Sequence, residues 1–346
     1  MSTTAVHQAP SEGSLPREEL LKIHEIMVRA RLLEERLIRM QKQGDGYFWI
    51  GGPGEEAFNT ALGLLVHKGE GLDYDYLHLH YRSSATMLAM GADPVDSMRQ
   101  MKSTASDPYS GGRNFVNHFS IKKWNVVPVS SPIEVQFSMA PGTAMAQKRH
   151  GGKGITIVQG GDAGTAEADF ATCLIWSSRP GNEVPVLMIV TNNQWGISTP
   201  AATQHGERNI ADRGKAFGIK TNVIDGNDPE SAYAGLKDAM DYVRKERKPF
   251  LLEANVSRLY GHSSSSGANF ISEETDCLVR FEQKLEQAGI ITREKTDALK
   301  KRITEEFLEA SKKVREEPQP ESRVAFEHIF AESPVKEGGS RTNGGR

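Results

Sequence analysis

The stretch Ile155-Thr156-Ile157-Val158-Gln159-Gly160-Gly161-Asp162-Ala163-Gly164-Thr165-Ala166-Glu167 decides how this chain is read. Its first four residues are apolar or β-branched and precede a turn rich in glycine, as in a strand buried on both faces. A second such run, Val186-Leu187-Met188-Ile189-Val190, ends at Asn192-Asn193, with Asn193 thirty-one positions after Asp162. The segment from Glu167 to Ser178 between them supports a crossover helix, so the whole reads as a βαβ unit. Its two strand ends then carry a carboxylate and a carboxamide side by side, at the edge where open α/β sheets take ligands. Two such oxygens suit a hard cation like Mg²⁺, which takes its remaining ligands from phosphate and water. The glycine turn lets backbone N–H groups approach a phosphate at a helix N-terminus. Either half alone also fits ordinary turn chemistry, and a βαβ unit with a glycine turn binds nucleotides in many settings.

Working outward, strand-like runs recur at Lys220-Thr221-Asn222-Val223-Ile224 and Phe250-Leu251-Leu252-Glu253-Ala254, with a helical segment from Pro229 to Glu246 between them. This alternation predicts an α/β fold built on a doubly wound, mostly parallel sheet. Helical additions are expected at both ends. Leu20, Ile23, Met27, Ala30, Leu33, Leu37 and Met40 repeat at helical spacing until Gly44-Asp45-Gly46. Leu278, Phe281 and Leu285, then Leu299, Ile303, Phe307, Ala310 and Val314, do the same on either side of Gly289. Residues 1–14 and 336–346 read as disordered, leaving 15–335 as one folded unit.

A net charge of −3 excludes a general nucleic-acid binder, which needs a basic stripe. No apolar run reaches the ~20 residues of a membrane span, and Met1 to Ser14 lacks the apolar core of a secretory signal. Cys173 and Cys277 have no metal-ligand spacing and form no disulfide framework. A cytoplasmic location is therefore expected.

The Gly-Asp turn answered by Asn-Asn on the next strand resembles the thiamine-diphosphate motif. The resemblance extends over about residues 17 to 330, to the α subunits of two-subunit, thiamine-dependent 2-oxo acid dehydrogenases. Gly51-Gly52-Pro53-Gly54-Glu55-Glu56-Ala57 is similar to an early element of that family. Asn192 to Pro200 and Ile224-Asp225-Gly226-Asn227-Asp228 resemble its branched-chain members more than its pyruvate or acetoin members, which remain the alternative. The resemblance implies thiamine diphosphate and Mg²⁺ as cofactors, with Asp162, Asn193 and the Trp195 carbonyl on the metal. Ala163 and Gly164 would offer amides to the diphosphate. Ala163 stands where the family has Gly; its methyl is tolerable where φ stays negative, and Gly164 offers to rebuild the turn one residue later.

Further residues follow by the same resemblance. Tyr81 and Arg82 match a pair that holds the diphosphate, a task that suits the planar donor fork of arginine. In Ser130-Ser131-Pro132-Ile133-Glu134-Val135-Gln136, the backbone at Ser131 and Ile133 would meet the aminopyrimidine. A potassium ion bound by relatives in this loop loses a hydroxyl ligand at Val135. Arg258 and His262 sit on a loop over the active site, with His262 expected to switch charge near neutral pH during acyl transfer. An ordering Asp of relatives is Ser266 here, so that loop is expected to be less ordered. The partners implied are a β subunit in an α₂β₂ tetramer, which brings the glutamate that activates the aminopyrimidine, a lipoyl-bearing transacylase, and a small 2-oxo acid as substrate.

Overall fold

The computed structural model describes residues 15–327 and 329; the two ends read as disordered, and the last positions of the 15–335 unit, lie outside the described residues. Ten α-helices are described: α1 (Arg17–Lys42), α2 (Glu56–Leu65), α3 (Ser84–Ala89), α4 (Pro94–Lys102), α5 (Val135–Arg149), α6 (Ala168–Ser177), α7 (Asp212–Lys215), α8 (Pro229–Glu246), α9 (Cys277–Gln287) and α10 (Arg293–Arg315). The strands are β1 (Tyr76–His78), β2 (Thr156–Gly161), β3 (Val186–Asn192), β4 (Trp195–Gly196), β5 (Thr199–Pro200), β6 (Lys220–Asp225) and β7 (Phe250–Asn255).

Five of these strands form one parallel sheet in the order β1-β2-β3-β7-β6, while β4 and β5 make a short antiparallel hairpin beyond the end of β3. Successive side chains of a strand point to opposite faces, so a run apolar at every position needs cover on both sides. Val158, Met188, Val190 and Leu251 meet Phe137, Ala140 and Ala144 of α5 and Phe170 and Leu174 of α6. Ile157, Leu187, Ile189 and Leu252 face the other way, onto Phe58 and Leu62 of α2 and Leu236 and Met240 of α8. The expected doubly wound architecture is present.

The helical stripes at the two ends of the chain close a third core on each other. Leu20, Ile23, Met27, Leu33 and Leu37 of α1 pack with Phe281 and Leu285 of α9 and with Ile303, Phe307 and Val314 of α10. Arg31 of α1 fixes this layer to the rest. It is buried and bridges Glu56 at the start of α2 (2.6 and 3.1 Å) and Asp276, the N-cap of α9 (2.7 and 3.0 Å). Gly44, at φ +81, follows the end of α1 as expected. α8 starts where Asp228 accepts the Glu230 and Ser231 amides and Pro229 needs no donor.

Candidate active site

Gly161 of β2 pairs with Thr191 of β3, so the chain leaves the two strands almost in register. Asp162 and Asn193 emerge there, next to one another at the carboxyl edge of the sheet. Both are about 1% exposed. Asp162 opens a 3₁₀ turn over Ala163–Ala166, and its backbone carbonyl accepts both the amide and the hydroxyl of Thr165. Its Oδ2 has no hydrogen-bond partner. Burial raises its carboxyl above the usual range, with Arg82 pulling the other way. Asn193 uses Oδ1 to accept the Trp195 amide at 3.1 Å and leaves Nδ2 without a partner.

A cleft of about 240 Å³ opens above this edge. It collects residues from distant segments: Tyr81 and Arg82 after β1, Ile133 before α5, Asp162, Ala163 and Gly164 after β2, Trp195 in β4, and His262 after β7. Eight of the residues read from the sequence therefore meet at one place. Ser131, Asn193 and Arg258 stand just outside the lining. Ser131 is exposed, two residues from Ile133, with its hydroxyl 2.9 Å from His118 Nε2. Arg258 donates to the Ile197 carbonyl (2.8 Å) and lies over the Trp195 ring.

Arg82 is the electrostatic centre. Burial works against its charge, and Tyr81, Glu55 and Asp162 more than offset that. It reaches Glu55 at 3.4 Å, and its guanidinium carbon lies 5.4 Å from the Tyr81 ring centroid. The Tyr81 ring in turn meets the His262 ring edge-on at 6.2 Å. Burial, then Arg82 and Arg258, hold the His262 pKa at about 4. Where a charge switch near neutrality was expected, these surroundings favour the neutral imidazole, and its Nδ1 has no hydrogen-bond partner.

Two local features follow from packing and hydrogen bonding around the cleft. Neither Ala163 nor Gly164 has a positive φ, so the turn needs no rebuilding and the Ala163 methyl is unstrained. Room for that methyl comes from Gly196, whose own Cβ would fall 2.6 Å from it. The serine loop is also ordered by its own side chains. Ser263 caps the 3₁₀ turn Ser264–Ser266, its amide donates to Ser266 Oγ (3.0 Å), and Ser264 exchanges hydrogen bonds with the Trp49 backbone. The hydroxyl of Ser266 thus closes a capping box, in place of the ordering carboxylate.

A family model described as "Dehydrogenase E1 component" matches residues 24–323. The chain belongs to the dehydrogenase E1 component family. Among its relatives, the 2-oxoisovalerate dehydrogenase subunit alpha of Bacillus subtilis is 28% identical, covering 96% of this chain and 100% of that protein. The subunit alpha of the same name from Pseudomonas aeruginosa is 30% identical over 94% of this chain and 81% of its own length. A human mitochondrial 2-oxoisovalerate dehydrogenase subunit alpha is 28% identical over 94% and 74%. Membership makes the chain an enzyme component of the 2-oxo acid dehydrogenase class.

This E1-family chain also carries cleft residues that the sequence did not single out, Glu134, Glu167, Gly196, Ile197 and Gln204, beside His80, which stands where branched-chain relatives tend to have Gln. Glu134 matters most, being a buried carboxyl against the glycine turn. Nothing in Ser130-Ser131-Pro132-Ile133-Glu134-Val135-Gln136 marks this acid in the sequence, and only the packing reveals that its side chain turns inward. Among the described residues no helix is long and apolar enough to cross a membrane, and both cysteines are free and buried.

Proposed function

We propose that this chain is the α subunit of a thiamine-diphosphate- and Mg²⁺-dependent 2-oxo acid dehydrogenase acting on 3-methyl-2-oxobutanoate and its branched homologues. It would work with a β subunit in an α₂β₂ tetramer and deliver the acyl group to a lipoyl-bearing transacylase, in the cytoplasm. The observation that carries this reading is the meeting of Tyr81-Arg82, the Asp162–Gly164 turn and His262 in one cleft. The relatives named for 2-oxoisovalerate support the substrate class.

The residues fit the cofactor. Asp162 Oδ2 is a buried acceptor in the cleft with no partner, as a metal ligand would be, and Asn193 stands beside it. Arg82 supplies a charged donor fork for diphosphate, and the unstrained turn exposes the amides of Ala163 and Gly164. Bound thiamine diphosphate supplies the chemistry of addition to the 2-carbonyl and an electron sink for decarboxylation. This chain's part is to anchor the diphosphate with Arg82 and the metal with Asp162 and Asn193. His262, neutral and edge-on to Tyr81, would offer a hydrogen bond to the reacting group and so hold or move a proton at its imidazole during acyl transfer.

Reconstitution tests this. The purified chain alone should be inactive, and adding the copurifying subunit should restore thiamine- and Mg²⁺-dependent decarboxylation. The preference for 3-methyl-2-oxobutanoate over pyruvate should be modest, since one or two methylenes in an apolar pocket are worth about 1–3 kcal/mol. A clear preference for pyruvate in kcat/KM would overturn the substrate class. Activity from the isolated chain would overturn the need for a second subunit.

A further inference from the structure

Among the cleft residues that the proposed mechanism leaves unused, Glu134 is a buried carboxyl with no hydrogen-bond partner. It sits at the N-cap of α5 with φ +65, a left-handed conformation uncommon outside glycine. That backbone turns its side chain inward: Glu134 is 1% exposed and lines the cleft beside Gly161, Asp162, Ala163 and Gly164. A methyl built on Gly160 or on Gly164 would fall on its carboxyl group, so both glycines make room for it. Neither carboxyl oxygen has a hydrogen-bond partner. The Gly161 amide favours the ionised form without reaching full hydrogen-bond geometry.

A buried carboxylate with no partner is strongly disfavoured, and the group escapes that penalty by keeping its proton. Burial pushes the pKa of Glu134 up to about 8; Arg82 opposes this, and Asp169 on α6 and Glu167 beyond the turn add to it. Further titratable groups around it are Cys173 on α6, Asp162 on the turn, His80 and Tyr81 after β1, Glu55 beside Arg82, and His262 after β7. A neutral carboxyl has one O–H to donate. In a cleft whose turn presents amides and whose wall presents Arg82, the natural acceptor is an anionic oxygen on that turn.

We propose that Glu134 is a protonated positioning residue that donates its O–H to the diphosphate held on the Gly161–Gly164 turn, so that cofactor affinity requires this proton. This rests on the thiamine-diphosphate reading above. Ionising Glu134 would place a negative charge against the diphosphate, so affinity falls as pH rises through the pKa of Glu134. The sign is opposite to that of a carboxylate serving a cation, whose affinity would rise with pH.

Calorimetric titration of the chain together with its copurifying subunit tests this, using Mg²⁺-thiamine diphosphate and, separately, Mg²⁺ with inorganic diphosphate. Wild type and Glu134→Gln are compared from well below pH 8 to well above it. The ligand's own titration is common to both proteins and cancels in their affinity ratio. Expected is a constant ratio at low pH, and a loss of up to tenfold per pH unit in wild type relative to Glu134→Gln above pH 8. A ratio independent of pH overturns the proposal, as does one that rises with pH. If thiamine diphosphate fails to bind but inorganic diphosphate binds, the function proposed above falls while the ratio still tests Glu134. If neither binds, both fall. Infrared spectroscopy of wild type below pH 8 gives a readout independent of the variant: a buried protonated-carboxyl band is expected to fade as pH rises through 8, and its absence overturns the proposal.

Discussion

The Cα of Gly164 lies directly against the carboxyl group of Glu134, and a methyl on it would overlap Oε1, Cδ and Cγ of that side chain. The turn that defines the cofactor motif is thus shaped by an acid on another segment. Gly164 is required by this close approach, since its φ is not in the left-handed region.

Gly164→Ala should therefore destabilise the protein through overpacking by about 1–3 kcal/mol and weaken diphosphate binding. Adding Glu134→Ala should recover most of the lost stability, because it removes the atoms that the methyl meets. Denaturant unfolding of the two single variants and the double variant measures the coupling. Strict additivity would mean that the two residues do not share this space.

Removing the Asp162 carboxylate should abolish Mg²⁺-dependent cofactor binding while the fold survives. A charge-assisted hold on metal and phosphate is worth a few kcal/mol, so Asp162→Ala should lose roughly a hundredfold or more in affinity. Calorimetry with Mg²⁺ present and absent, beside circular dichroism for the fold, reads this out. Unchanged affinity would remove Asp162 from the site.

His262 lies in the cleft outside the three cores, so His262→Ala should leave thermal stability nearly intact. Turnover with a lipoyl acceptor should fall sharply, and decarboxylation assayed with an artificial acceptor should fall less. A depressed histidine pKa means that the unfolded chain binds more protons below the ordinary value near 6.5. Stability is then lost as pH drops from 6.5 toward 4, and His262→Ala should lose less over that window. A large stability loss with full activity would make His262 structural.

Glu34 of α1 tests the acids of the helical layer. It is buried and accepts hydrogen bonds from Trp49 Nε1 (2.8 Å) and Asn117 Nδ2 (3.0 Å), yet burial raises its pKa to about 7. A raised carboxyl pKa gives stability that is complete below the unfolded value of about 4.5 and lost as pH rises through 7. The change from that group alone is on the order of 3 kcal/mol. Urea unfolding should show wild type weakening between about pH 4.5 and 7 and Glu34→Gln weakening less over the same range. Parallel curves would show that Glu34 is ionised in both states.

The sequence by itself determined the parallel sheet, the end helices and the Asp162–Asn193 pair. Each of these is written in short-range order. The runs at Ile157 and Ile189 are apolar at every position and need two covered faces, the stripe from Leu20 to Met40 keeps one helical face, and consecutive strands of a βαβ unit must end side by side. The short β1 and the helices α2 to α5 carry weaker periodicity and were not legible; Pro141 even lies inside α5. Only the tertiary structure decided what depends on approach between segments far apart in the chain. It put Gly196 beneath the Ala163 methyl, closed the serine loop on Trp49, kept His262 neutral between Arg82 and Arg258, and folded Glu134 against Gly164. Burial and through-space charge set those properties, and neither is a function of the residues adjacent in sequence.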